Sequence, residues 1–272
     1  MQFFETCYTF FLFIRSDIKT TLIPALFWLL IHLLQFNFSN QLVSIDEDKQ
    51  NKAYRPLPSC RISVDVVRDL RLYSKALCLG VSLHFGSIVF GASLASLLLT
   101  LICNEANGAQ LGVAKNLLTA GGISMFMLGT LSVLGQDQPL QDNGALHTVI
   151  VNSMVMATTV HAQDFRDVHG DVKAGRNTFP ISMPKISRYS MPISLSLWAW
   201  FFNANWHFGP GIASTFFMFS VYVGMRYIWL TSVDDDILSY RWYNVWMSVC
   251  FCIPGMHYHA THWIETAAVI DL

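Results

Sequence analysis

Two short stretches of this chain gather the side chains able to do chemistry. In His161-Ala-Gln-Asp-Phe-Arg-Asp-Val-His-Gly-Asp171, the acids Asp164, Asp167 and Asp171 recur at i, i+3 and i+7, and Lys173 and Arg176 follow. That spacing stacks three carboxylates on one helical face. The other stretch, Ser39 to Ser63, sets Asp46, Glu47 and Asp48 just ahead of Asn51, Lys52 and Arg55. Aligned carboxylates repel one another, and a divalent cation removes the repulsion. Mg2+ is usually held by one or two carboxylates together with substrate phosphates. Acids flanked by bases therefore describe a site for Mg2+ and a diphosphate. Asp46, Glu47, Asp48, Asp164, Asp167 and Asp171 would hold the metal. Lys52, Arg55, Lys173 and Arg176 would neutralise the remaining phosphate charge, each Arg bidentately. Such a site stabilises pyrophosphate as a leaving group, so the carbon left behind becomes a cation. The plainer alternative is that the bases serve membrane topology and the acids form surface ion pairs. Two such segments on one face of the molecule favour the site.

The elements that position these residues must be membrane helices. The 272 residues are 53% hydrophobic and only 13% charged, with a net charge of -1. Soluble domains carry about 25% charged residues, so this chain could not cover its own core in water. Disorder, a coiled coil and a basic nucleic-acid binder are excluded by the same figures. The cysteines Cys7, Cys60, Cys78, Cys103, Cys250 and Cys252 form no CxxC pair and suggest no disulfide framework or zinc site. Apolar runs predict spans at 21–38, 76–103, 117–135, 145–161, 186–202, 211–230 and 242–257. The segments Ser39–Lys75 and Asp164–Ser190 hold twelve of the seventeen Lys and Arg residues, which puts both on the cytosolic side. An even number of spans must then separate them. Run 76–103, long for one helix, is expected to break at Gly86 and Gly91 into two.

Here the residues resemble a family. The first stretch looks like the NDxxDxxxDxxNKPxRP motif of the UbiA superfamily of intramembrane prenyltransferases, and the second resembles its DxxDxxxD motif. The resemblance runs from about Asp17 to the C-terminus. It implies an all-α, polytopic membrane helical bundle with a lateral opening for a prenyl tail and a cytosolic polar cap over two Mg2+ ions. Anchored on Asn51-Lys52, Asn40 matches the family Asn and Asp48 its last acid. Asn40 and Asn51 are then implied to orient the diphosphate or metal-bound water. Gln41 and Ser44 stand where the family has acids, Asp46 and Glu47 are acids at shifted positions, and Ala53 replaces a Pro. This variant of the motif is similar to a fungal branch that includes UbiA-type sesquiterpene cyclases.

By the same comparison residues 1–272 are one domain lacking a helix's worth of sequence near 25–27, as in an incomplete gene model or splice variant. About eight transmembrane helices are expected, one fewer than in the family. The leading expectation is a Mg2+-dependent enzyme that cyclises farnesyl diphosphate, with Asp48, Asp164, Asp167 and Asp171 as the catalytic acids. The alternatives are transfer of the prenyl chain to an aromatic or lipid acceptor, and an inactive truncated relative with a binding role. The expected partners are a prenyl diphosphate and membrane lipid, with neither nucleic acid nor an obligate protein. The expected location is multi-pass in the endoplasmic reticulum.

Other features read as structural. Asp234-Asp235-Asp236 is expected in a solvated loop, and His257, His259 and His262 at a membrane interface. Trp28, Trp198, Trp200, Trp229 and Trp242 sit in or near span ends, and most of them are expected to be interfacial aromatic anchors. Phe217, Tyr222 and Trp246 are candidates for a cation-stabilising pocket by position in the late spans.

Overall fold

A computed structural model describes residues 18–106, 108, 112–135 and 143–270, with side chains as far as 254, and isolated positions before residue 18. Among the described residues the structure is helical throughout, without strands. A π-helical turn at Ile18–Leu22 leads into α1 (Ile23–Val43), followed by the short α2 (Ile45–Asn51). Then come α3 (Val64–Phe85), α4 (Ser87–Asn104), α5 (Gly112–Leu134) and α6 (Asn143–Thr159). A 3-10 turn at Val160–Gln163 precedes the short α7 (Val168–Lys173) and α8 (Phe179–Ser182). Three long helices close the chain: α9 (Pro184–Trp206), α10 (Pro210–Trp229) and α11 (Val233–Ile270). By length and composition, Ile18–Val43, Ser87–Asn104 and Gly112–Leu134 are long and apolar enough to cross a membrane. These spans and the helical fold are consistent with an integral membrane protein.

The long apolar run does divide, and Gly86 alone divides it. Its φ of 119° is open to glycine and strained for other residues, while Gly91 lies inside α4. The first of the two helices begins at Val64 rather than at 76, because Ser63 caps it by accepting from Val66 N. Its first turns carry Asp65, Arg68, Asp69 and Arg71. Four long helices thus separate the two acid-rich segments, which brings both to one end of the bundle.

The interior has two parts. Between α6, α9, α10 and α11, Met191, Leu195, Phe202, Val223 and Trp246 pack without solvent exposure. Around α1 the links are polar: Trp28 Nε1 donates to Ser82 Oγ at 2.8 Å, and His32 Nε2 lies 2.7 Å from Ser93 Oγ. Hydrogen bonds of this kind join helices where lipid supplies no hydrophobic drive. Trp28 is therefore fully buried and is not an interfacial anchor, whereas Trp200 and Trp229 are largely exposed.

The acidic run Asp234–Asp236 also departs from expectation. It forms the first turn of α11, where acids suit the helix dipole. Asp236 is buried and bidentate with Arg188 of α9, at 3.0 and 2.8 Å. The side chains of His257, His259 and His262 lie outside the described residues.

Candidate active site

The two polar segments meet through α2 and α7. Asn51 Nδ2 donates to the Asp167 carbonyl at 3.4 Å, and Lys52 Nζ lies 3.1 Å from Asp167 Oδ2. Gly170 presents bare backbone to the Asn51 amide, so close that a Cβ at this position would overlap it. Asn51 is thereby a joint between the segments rather than part of the cavity wall.

Helix α2 buries Glu47 and Asp48 and leaves their neighbour Asp46 outside. Successive residues on a helix differ by about 100° in direction, so three acids in a row cannot share one face. Asp46 is 95% exposed on its side chain and pairs with Lys49 at 2.8 Å. Arg55 Nη1 donates to both oxygens of Asp48, at 3.0 and 2.8 Å, and Ser44 Oγ lies 3.1 Å from Asp48 Oδ2. Arg176 Nη1 sits 2.6 Å from Glu47 Oε2 and 3.4 Å from Asp171 Oδ1.

The second segment holds its acids on a compound element and not on one helix. Asp164 and Asp167 lie in the turn between the 3-10 helix and α7, and Asp171 lies in α7. Backbone bonds from Asp164 N to His161 O, Asp167 N to Asp164 O and Asp171 N to Asp167 O keep the chain coiling in one sense. All three carboxylates consequently line the same cavity.

Lys115, near the start of α5, completes the charged layer, with its Nζ 2.6 Å from Asp164 Oδ1. Sequence reasoning passed over it, because a single base in an apolar run resembles an ordinary span boundary. Asn104 is a second omission: it is buried, faces the cavity, and has an Nδ2 donor without a partner.

Burial raises the carboxyl pKa of Glu47, Asp164 and Asp171 above their ordinary values. Arg176 opposes this at Glu47, and Lys115 opposes it at both aspartates. Asp164 Oδ2 and Asp171 Oδ2 are buried without a hydrogen-bond partner. Free carboxylate oxygens in a desolvated pocket fit a hard divalent cation. Among the described residues no three His, Cys, Asp or Glu side chains are close enough to form a metal cage by themselves. A Mg2+ ion held by one or two of these carboxylates would complete its shell with water and phosphate oxygens.

The charged layer forms one end of a cavity of about 480 Å3, and its remaining lining is largely apolar. Eleven residues separate Leu33 from Ser44, Lys115 from Phe126, and Tyr240 from Phe251, and all six line it. At 1.5 Å of rise per residue, its apolar body runs ~16 Å below the charges. Tyr240 and Tyr243 of α11 stand at the upper rim with ring centroids 6.0 Å apart, and the Arg166 guanidinium lies 4.1 Å over Tyr240. Phe217, Tyr222 and Trp246 do not line the cavity. Trp246 is instead buried in the core, donating to Ser220 Oγ at 2.8 Å.

Of the residues picked from sequence, Asn40, Glu47, Asp48, Lys52, Arg55, Asp164, Asp167, Asp171 and Arg176 converge on this cavity. Asp46 and the exposed Lys173 instead line a neighbouring polar cleft of about 440 Å3.

Known proteins are similar to this chain in sequence and in fold. Fumagillin beta-trans-bergamotene synthase of Aspergillus fumigatus is 29% identical over 263 residues, covering 88% of this chain and 89% of that protein. Somaliensene A/B synthase of Streptomyces somaliensis is 27% identical over 197 residues, covering 62% of this chain and 63% of that one. A solved digeranylgeranylglyceryl phosphate synthase superposes with a TM-score of 0.56 at 18% identity, covering 92% of this chain and 97% of the other. A UbiA homolog from Archaeoglobus fulgidus bound to GPP and Mg2+ superposes with a TM-score of 0.54 at 16% identity, covering 85% and 87%. Both structures share the fold. The model of the UbiA prenyltransferase family matches residues 6–248, and the chain belongs to that family.

Proposed function

We propose that this enzyme, which acts on a prenyl diphosphate, ionises farnesyl diphosphate and closes the resulting cation on itself to give a cyclic sesquiterpene. The observation that carries the proposal is a layer of paired acids and bases set over an apolar cavity. A diphosphate with its metal can exchange partners with these pairs. Lys52, Arg55, Lys115 and Arg176 turn to the phosphate oxygens, while Asp164 and Asp171 present the oxygens that lacked partners. Bound Mg2+ supplies charge neutralisation and stabilises the departing pyrophosphate. Asn40 and Ser44 stand near Asp48 as neutral groups able to orient phosphate or water.

Below the charges, the apolar wall keeps water from the cation. Tyr240 and Tyr243 line the cavity near the site of ionisation, where aromatic rings stabilise a cation. A C15 chain suits the depth, since three extended isoprene units reach ~15 Å at ordinary bond lengths. The near full-length similarity to a bergamotene synthase favours cyclisation over transfer. In this reading the chain is a multi-pass membrane protein, with its charged end on the cytosolic side of the endoplasmic reticulum.

The test uses membranes containing the chain, farnesyl diphosphate and Mg2+, without an acceptor. Pyrophosphate release with a cyclic hydrocarbon, both lost in EDTA, is the expected result. Release that requires an added aromatic or lipid acceptor assigns the protein to prenyl transfer. A prenyl diphosphate analogue that stabilises the protein with Mg2+, while no turnover occurs with any acceptor, leaves a binding role.

A further inference from the structure

The acidic turn at 164–167 rests on a buried assembly that the chemistry described so far does not use. Phe165, 3% exposed, points away from the cavity between Asp164 and Arg166. The Arg188 guanidinium lies 4.6 Å over its ring. That guanidinium is held bidentately by Asp236 and donates to the Tyr227 carbonyl at 2.9 Å. The Tyr227 ring stands 5.1 Å from Phe165, and its hydroxyl donates to the Ala162 carbonyl at 3.5 Å. His161 Nε2, in the 3-10 turn just before it, lies 3.3 Å from the Ser187 carbonyl and 3.0 Å from Ser190 Oγ on α9. Three helices, α9, α10 and α11, therefore grip the turn from beneath.

We propose that the Arg188–Asp236 pair is a positioning device for the metal-binding acids. It fixes the height and tilt of Phe165, and through it those of Asp164 and Asp167. An Arg–carboxylate fork is planar and bidentate, so it locks orientation as well as distance. Packing transmits such placement because a filled interior deforms little. The effect of breaking the pair should appear first as weakened metal binding, beyond any loss of fold. This role rests on the reading of the site as a Mg2+–diphosphate site.

The experiment measures thermal stabilisation of the purified full chain by Mg2+ in the presence of inorganic pyrophosphate, with no turnover required. In Asp236→Asn the Mg2+ concentration for half-maximal stabilisation should rise by about tenfold or more. Phe165→Leu, which removes the ring under Arg188, should reproduce the rise. Asp235→Asn changes a residue bound to Ser232 at the surface and should leave the midpoint unchanged. If Asp236→Asn does not fold, Arg188→Lys keeps the charge, loses the fork and should raise the midpoint as well. A lower melting temperature with an unmoved Mg2+ midpoint overturns the positioning role and makes the pair purely structural. A wild-type chain unresponsive to Mg2+ and pyrophosphate overturns the reading of the site, and the positioning role with it.

Discussion

Lys115 Nζ lies 2.6 Å from Asp164 Oδ1, joining the start of α5 to the acidic turn across 49 residues of sequence. Both side chains are largely buried, at 14% and 1% exposure. A buried charge left without its partner is costly, on the order of 3–5 kcal/mol. Lys115→Met should therefore lower the melting temperature and also reduce turnover by roughly 100-fold, the scale of losing one electrostatic donor. Adding Asp164→Asn removes the stranded charge. The double variant should recover thermal stability and remain inactive, measured by calorimetry and pyrophosphate release. Recovered turnover would show that the pair serves the fold alone.

The buried acids predict the pH response. Glu47, Asp164 and Asp171 have raised pKa values, so the fold favours their protonated forms. Their contribution to stability is present at low pH and is lost as pH rises through the raised values. Those lie above the ordinary 3.8 for Asp and 4.5 for Glu. Mg2+ competes with protons for the same oxygens. Across that window, the stabilisation conferred by Mg2+ should grow as pH rises. Thermal melts at fixed Mg2+ in a buffer series check this, and a flat or falling increment would contradict it.

Gly170 predicts a steric test. Gly170→Ala places a methyl group in the Asn51 amide and should part α2 from α7, with turnover falling at least about tenfold, since small misplacements at a reacting centre are costly. Shortening the neighbour, as in Asn51→Gly with Gly170→Ala, makes room. Partial recovery in the double variant, read as pyrophosphate release, is the expected outcome. No recovery would place the defect elsewhere.

Phe126 and Phe251 line the cavity eleven positions along their helices from Lys115 and Tyr240, towards its apolar end. Phe126→Ala combined with Phe251→Ala should raise the use of geranylgeranyl diphosphate relative to farnesyl diphosphate by at least about tenfold, since the two differ by a whole isoprene unit and even one methylene in an apolar pocket is worth that much. Competition between the two substrates gives the ratio directly. An unchanged ratio would move the selection of chain length away from these rings.

Much of this was legible in the chain, and the failures share a cause. Gly86 announced the division of an apolar run because glycine changes what the backbone can do, and that property is local. The convergence of Lys52 on Asp167 followed from charge placement and an even number of helices between them. Asp46 and Glu47 could not be told apart, because neighbouring acids look alike until the helix fixes which one faces inward. Lys115 escapes notice in the sequence and Asp236 reads as part of a solvated loop for a related reason. Each has a partner far off in sequence, Asp164 for one and Arg188 for the other, so no local spacing marks them. The Asp164, Asp167 and Asp171 repeat pointed to one helix face, yet a 3-10 turn, a bend and a short helix deliver the same convergence.

Among the described residues, ten charged side chains line the cavity, and they divide evenly. Glu47, Asp48, Asp164, Asp167 and Asp171 balance Lys52, Arg55, Lys115, Arg166 and Arg176. At a pH above the raised values of Glu47, Asp164 and Asp171, where all five acids are ionised, the pocket is a small ionic lattice with no net charge of its own. A diphosphate entering it displaces internal carboxylates more than dissolved counterions, so its capture should depend little on ionic strength. The same lattice drives the reverse event. As pyrophosphate departs, each base finds a carboxylate already waiting, and the pocket returns to its starting order without drawing ions from the medium.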